Sequence, residues 1–195
     1  DALSPLKPKW AGLSTSLIAR DAELLDHCAR SGCAALLVGF DSITHSGLKS
    51  VQKGFNSPEL YKDWMYKFHA AGIAINGTFV FGIDDHTTGV FEETAQFVID
   101  AGIDLPRFAI LTPFPGTPLY ARLKAEGRLL ADGDWTRCTL FDLNFTPKGM
   151  TGAELAAGFR ALGVDLYRAA WTERRRHRFN ERLKAQRHRE KEQGG

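Results

Sequence analysis

The sequence predicts an α/β fold built on a parallel sheet, and three observations predict it. Amphipathic helical stretches alternate with short apolar runs along most of the chain. Three glycines that close such helices, Gly32, Gly72 and Gly102, are spaced by 40 and 30 residues, the length of a βα unit. The apolar runs, such as Ala35-Leu36-Leu37-Val38, are continuous rather than alternating, as strands buried on both faces require.

Each element has a local cause. Trp10–Ser14 reads as a first strand, ending in Ser14-Thr15-Ser16. Asp21 is a good N-cap, and Glu23 complements the helix dipole in the first turn. Leu24, Leu25, Cys28 and Ala29 then share one face, and Gly32 suits the left-handed exit. A strand over 34–40 follows, ending in Asp41-Ser42. Ser57-Pro58-Glu59 opens a second helix whose stripe is Leu60, Tyr61, Trp64, Met65 and Phe68, closed by Gly72. A strand over 73–82 runs into Asp84-Asp85. The next helix starts near Thr87 or Thr88, carries Phe91, Ala95, Val98 and Ile99, and ends at Gly102. A strand over 108–111 leads into Thr112-Pro113-Phe114-Pro115-Gly116-Thr117-Pro118. One more helix reaches about Glu126, with Gly127 as its cap. Residues 132–150 are rich in turn formers and aromatics and read as an irregular cover. Thr151 caps a last long helix, with Leu155, Phe159, Leu162, Leu166 and Tyr167 on one side, that runs into an Arg-rich tail. Four parallel strands with right-handed crossovers fit part of a barrel or an open doubly wound sheet.

Composition narrows the function classes. The chain has 195 residues, 44% apolar and 25% charged, enough for a sizeable core. A formal net charge of +2 gives no whole-chain pointer to nucleic acid or membrane. Between Glu173 and Glu192, however, nine Lys/Arg outweigh four Glu. Phe179 is the only aromatic there, so base stacking is weak and a solvated helical extension is expected rather than a nucleic-acid patch. No apolar run approaches the roughly 18 residues of a membrane span. Three irregularly spaced cysteines make no disulfide framework, so reduced thiols and a cytoplasmic setting are expected. The chain opens on Asp1 rather than Met, and an excerpt of a longer protein is expected. The six histidines do not cluster, and Asp84-Asp85 reads as dipole-stabilising acids rather than a metal pair.

Ligands of parallel α/β folds bind at the C-terminal strand ends. Those ends read Ser14-Thr15-Ser16, Asp41-Ser42, Gly82-Ile83-Asp84 and Thr112-Pro113. Asp41 and Ser42 can bond a ribose diol, because a carboxylate accepts two hydroxyl protons. Gly77 and Gly82 would let a flat ring approach the backbone. Backbone groups around Leu111 and Thr112 could read an adenine edge, under a rigid loop from Pro113 to Pro118.

Several of these runs, in order, carry a resemblance. They are Ser31-Gly32-Cys33, Val38-Gly39-Phe40-Asp41-Ser42-Ile43, Lys53-Gly54-Phe55-Asn56, Gly77-Thr78-Phe79-Val80-Phe81-Gly82, Leu111 to Leu119, Glu126-Gly127-Arg128 and Asp134-Trp135. Over about residues 9–170 the chain resembles the radical S-adenosylmethionine (SAM) superfamily, in the group whose members often carry a cobalamin-binding domain. The resemblance implies a partial (β/α) TIM-like barrel, with residues 1–126 as the four C-terminal units of a six-unit barrel. Residues 127–171 would be cover and helix, and 172–195 a basic solvated tail. It further implies a [4Fe–4S] cluster on a CxxxCxxC loop, reductive cleavage of SAM to a 5′-deoxyadenosyl radical, and a small-molecule or cofactor-like substrate. A reductant protein such as a flavodoxin or ferredoxin would supply the electron, and cobalamin would serve methyl transfer in the full-length protein. By position, Asp41 stands where the family usually has Glu near the SAM ribose, one methylene shorter. Lys53 would neutralise the SAM carboxylate, Phe81 and Gly82 would pack on adenine, and Leu111, Thr112 and Pro113 would supply its backbone contact. The decisive departure from the family is that Cys28, Cys33 and Cys138 do not form CxxxCxxC, so the cluster ligands are expected upstream of Asp1. A cluster-free barrel acting as a SAM or nucleotide-binding scaffold is the alternative.

Overall fold

Four strands, β1 (Trp10–Ser14), β2 (Cys33–Asp41), β3 (Ala74–Phe81) and β4 (Leu105–Ile110), form one parallel sheet in the order β1-β2-β3-β4. The computed structural model describes residues 4–6, 8–50, 54, 56–130 and 132–193. Among them lie seven α-helices: α1 (Ala22–Arg30), α2 (His45–Ser50), α3 (Tyr61–Ala70), α4 (Val90–Ala101), α5 (Pro118–Ala125), α6 (Gly152–Tyr167) and α7 (Ala169–Gln193).

The strand order never reverses. Among the described strands there is no reversal of the kind a doubly wound sheet shows, which is consistent with part of a barrel, and right-handed crossovers put the connecting helices α1, α3 and α4 on one face. Burial agrees. Leu36, Val38 and Phe40 of β2 and Ile75, Phe79 and Phe81 of β3 are at most 3% exposed and meet the helices. Their alternates, Leu37, Thr78 and Val80 among them, are only half-buried and line the open face. The helical face is held by aromatic rings: Phe40 lies 4.8 Å from Tyr61 and 5.6 Å from Phe79, centroid to centroid, and Phe97 of α4 closes the group.

The helix ends follow the chemistry of their sequence. Asp21 caps α1 by accepting from the Leu24 amide. Thr151 and Glu154 form a reciprocal capping box on α6. Gly32, Gly72, Gly102 and Gly127 all adopt positive φ at helix exits. Other boundaries differ. Ser57 makes no side-chain cap, and Pro58–Leu60 is a 3₁₀ turn leading into α3, which leaves Leu60 exposed. The short α2 has too few turns for a periodic signal. The expected single long C-terminal helix breaks at Arg168, whose ψ of 152° leaves the helical region.

Beyond that break, the segment expected to be solvated docks along one stripe. Arg175 is 7% exposed, donates to the Leu166 carbonyl at 2.6 Å and stacks on Tyr167. Arg182 pairs with Asp104, which sits at the start of β4 and also accepts from His69 and the Ile75 amide. A basic helix therefore reaches the N-terminal end of the sheet because a buried carboxylate waits there. Among the described residues, α7 exposes mainly polar side chains, such as Glu173, Arg174, Asn180 and Lys184, as composition predicts.

Candidate functional site

The C-terminal end of β2 is the most distorted strand end. Its register with β3 slips between Gly39 and Asp41, and Asp41 adopts φ 62°. A non-glycine residue in the left-handed region is strained and is held only by its surroundings. Those surroundings are polar and buried. Asn56, 2% exposed, donates to the carbonyls of Gly39 and Phe40 and bonds to Ser16 at the end of β1. The single O–H of Tyr61 is shared between the carbonyls of Phe40 and Ser42, each 3.3 Å away. Burial, with the Asp41 charge added, pushes the Tyr61 phenol far up, so it stays a donor. Asp41 itself remains half-exposed on the rim.

Ser42, one residue on, turns inward and is 3% exposed. Its Oγ lies 3.2 Å from Nε2 of His86, in the loop after β3. His86 is 3% exposed, and burial lowers its basicity despite nearby Asp85. Its Nδ1 has no partner among the described residues. The neighbouring Asp84 gathers cations: Arg128 at 2.7 Å, Arg122 at 2.5 Å and Lys148 at 3.6 Å. Burial pushes its carboxyl up, but the two arginines outweigh this and hold it at about 2. This cluster fastens the loop after β3 to α5 and to the cover.

The expected site residues divide. Asp41, Leu111, Thr112 and Pro113 do lie on the strand-end rim. Leu111 continues the β3–β4 ladder by donating to the Phe81 carbonyl, and Thr112 Oγ1 returns to the Ile110 carbonyl at 2.9 Å. Thr112 and Pro113 are buried, which leaves their backbone to define the rim. The flat ring near Gly77 is a protein ring: an added Cβ would meet Phe40 at 3.1 Å and Ile103 at 3.2 Å. Phe81 is 1% exposed and stacks on Phe91 at 5.1 Å. Gly82 has φ 90°, and a Cβ there would lie 2.9 Å from Leu155 and 3.0 Å from Phe145. The side-chain positions of Gly77 and Phe81 thus point into the core, because strand alternation turns them to the helices, while Gly82, just past the end of β3, faces Leu155 and Phe145. Lys53 lies outside the described residues. Asn56 and His86 carry no sequence signal of their own for the roles they take. An Asn before Ser-Pro reads as a turn, and a lone His after a strand has no spacing signal.

The thiols do not fit an iron–sulfur cluster. Cys28 and Cys33 sit at the exit of α1 and the start of β2, opposite the rim, and Cys138 is in the cover. Burial pushes Cys33 up to about 11, the reverse of a ligand thiolate. Among the described residues no group of three His, Cys, Asp or Glu could hold a metal ion. No described helix is long and apolar enough to cross a membrane.

Residues 117–194 match the model of a family described as a domain of unknown function, DUF4070. Over 171 residues, 87% of the chain, it is 32% identical to the bacteriochlorophyllide d C-12(1)-methyltransferase of Chlorobaculum tepidum. It is 28% identical over 79% of its length to the anaerobic magnesium-protoporphyrin IX monomethyl ester cyclase of Cereibacter sphaeroides. Over 61% of its length it is 28% identical to the hopanoid C-2 methylase of Rhodopseudomonas palustris. The chain belongs to the radical SAM superfamily. Within it, the chain falls in the group associated with cobalamin-binding domains. This radical SAM chain spans 37%, 25% and 23% of the length of those three relatives.

Proposed function

We propose that this chain is the C-terminal part of the catalytic barrel of a radical SAM enzyme, and that residues 127–171 cover it. In this reading residues outside these 195 would hold a [4Fe–4S] cluster, which would supply the reductive chemistry that opens SAM, and this chain's strand-end rim would hold the nucleoside for radical chemistry on a small-molecule substrate. The names of these relatives favour methyl transfer to a tetrapyrrole, and cobalamin, which the family resemblance implies, would be the methyl carrier. A flavodoxin- or ferredoxin-like protein would supply the electron.

One observation carries the reading: a strained, half-exposed carboxylate on the strand-end rim, braced from behind by buried polar groups. Strain of this kind costs about 1–3 kcal/mol and persists where a geometry is used. Asp41 would accept the two ribose hydroxyl protons, which fixes the nucleoside. The Leu111–Pro113 backbone would border the adenine, and Lys53 would face the SAM carboxylate. Asn56, Tyr61 and Ser42 would act behind them as positioning residues.

The test uses the protein at its native length, reconstituted anaerobically with iron and sulfide and given SAM and a reductant. Formation of 5′-deoxyadenosine is expected. Asp41→Ala should weaken SAM binding by about tenfold, the worth of a charged hydrogen bond. A protein with an intact cluster that binds SAM without cleaving it would be a binding module, and the reading would fall.

A further inference from the structure

The open face of the sheet carries a groove with two chemically different ends. A cavity of about 590 Å³ lies over Leu37, Thr78, Val80 and Ala109, is bounded by Phe141, and turns over the β4 edge towards α6. A second cavity of about 370 Å³ adjoins it at the N-terminal end of the strands. Leu105 and Tyr167 line both, so the two are continuous. The first is walled mostly by carbon, with Thr78 and Arg107 among its lining residues. The second holds Asn76, whose Oδ1 is buried without a partner, and Arg176 of α7.

Charge at the junction is unbalanced. Arg107 pairs in register with Thr78 on the open face and is exposed, as is Arg176. Neither has a carboxylate partner among the described residues, whereas Asp104 at the same end is already taken by Arg182. Arg175 is committed to the Leu166 carbonyl and Thr172. Arg107, two residues from the shared Leu105 in the first cavity, and Arg176 in the second, neither paired with a described carboxylate, match an anion at one end of an apolar ligand. A volume of several hundred Å³ is that of an ordinary small-molecule site.

We propose that this groove takes an elongated or planar apolar molecule bearing a carboxylate, its body over Leu37, Val80 and Ala109 and its carboxylate between Arg107 and Arg176. The inference rests on the radical SAM reading in one respect: it makes this molecule the substrate. The reacting carbon then lies at the rim end of the strands. Arg107 is three residues from the end of β4, which puts that carbon roughly 10 Å from the carboxylate.

Protoporphyrin IX and its dimethyl ester test this, because they share a macrocycle and differ only at the carboxyl groups, ionised in the acid and methylated in the ester. Titrated against the native-length protein, the acid should bind about tenfold tighter than the ester, as one charged hydrogen bond is worth. In the Arg107→Gln, Arg176→Gln double variant that preference should vanish while ester affinity stays. Both positions are exposed, so circular dichroism should be unchanged. Ala109→Phe, which fills the channel, should weaken acid and ester alike. Equal binding of the two probes, a preference that survives in the double variant, or unchanged binding in Ala109→Phe overturns the assignment. If those signatures fail while 5′-deoxyadenosine still forms, the groove alone falls. If they hold without 5′-deoxyadenosine, the groove stands and the reaction falls.

Discussion

His86 shows how a single buried side chain joins two strand ends. Its Nε2 meets Ser42 Oγ after β2, while its own backbone continues the loop after β3. Burial holds its basicity below the ordinary value near 6.5. Between the folded value and 6.5 the unfolded chain therefore binds more protons, so stability rises with pH in that window. The contribution is complete above about 6.5 and is lost as pH falls through the folded value. His86→Gln keeps a hydrogen-bonding group for Ser42 but cannot titrate. Thermal melts between pH 7.5 and 5 should show a shallower acid decline for the variant than for the parent. Parallel declines would mean that His86 is solvated in solution and that the Ser42 link is open. Gly82 belongs to the same scale. Its glycine answers a positive φ and two side chains at about 3 Å, so what reads in sequence as room for a ligand is room for Leu155 and Phe145.

At the scale of elements, Asp84 is the fastener. It lies on the loop after β3 and binds Arg122 of α5, while Arg128 and Lys148 bring in the cover. Arg128 also donates to the Thr146 carbonyl, beside the Leu129–Phe145 bridge that gives the irregular segment its one short ladder. Removing one partner of a clustered, partly buried ion group leaves like charges facing one another. Asp84→Asn should cost on the order of 1–3 kcal/mol, less if solvent screens the arginines. Its carboxyl is held at about 2, below the usual 3.8, so its stabilisation is complete above 3.8 and is lost as pH falls through 2. The variant should therefore show a lower midpoint in urea at pH 7 and a smaller loss between pH 4 and 2. Equal midpoints at pH 7 would show that the cover is held by Phe145 and Met150 packing alone. None of this was legible in the sequence. Asp84 reads there as a helix-dipole acid, because its partners are 38 to 64 residues away and ion pairs leave no periodicity.

The whole molecule repeats that division between what local chemistry announces and what only packing decides. Strand identity, parallel sense and helix exits were legible, because apolar runs and capping glycines act over a few residues. Which face each strand residue takes was less so: Phe81 and Gly77 look like rim residues until strand alternation assigns them to the helices. The course of the C-terminal segment was hidden for another reason. A helix of 25 residues this polar has little apolar surface to bury, and helices without tertiary contacts are marginal in water. Its docking depends on a few specific bonds. Asp104 supplies the central one, and burial pushes its carboxyl up while His69, the Ile75 amide and Arg182 bring it down and keep it charged. Asp104→Asn still accepts from the Ile75 amide but loses the charge that draws Arg182. In hydrogen exchange, amides of α7 beyond Arg176 should then lose protection by about tenfold, while β3 keeps its own. Arg182→Gln should reproduce the effect from the other partner. If α7 keeps its protection in both variants, then Arg175 and the Tyr167 stack hold the helix by themselves, and the basic segment is anchored at its root rather than along the sheet.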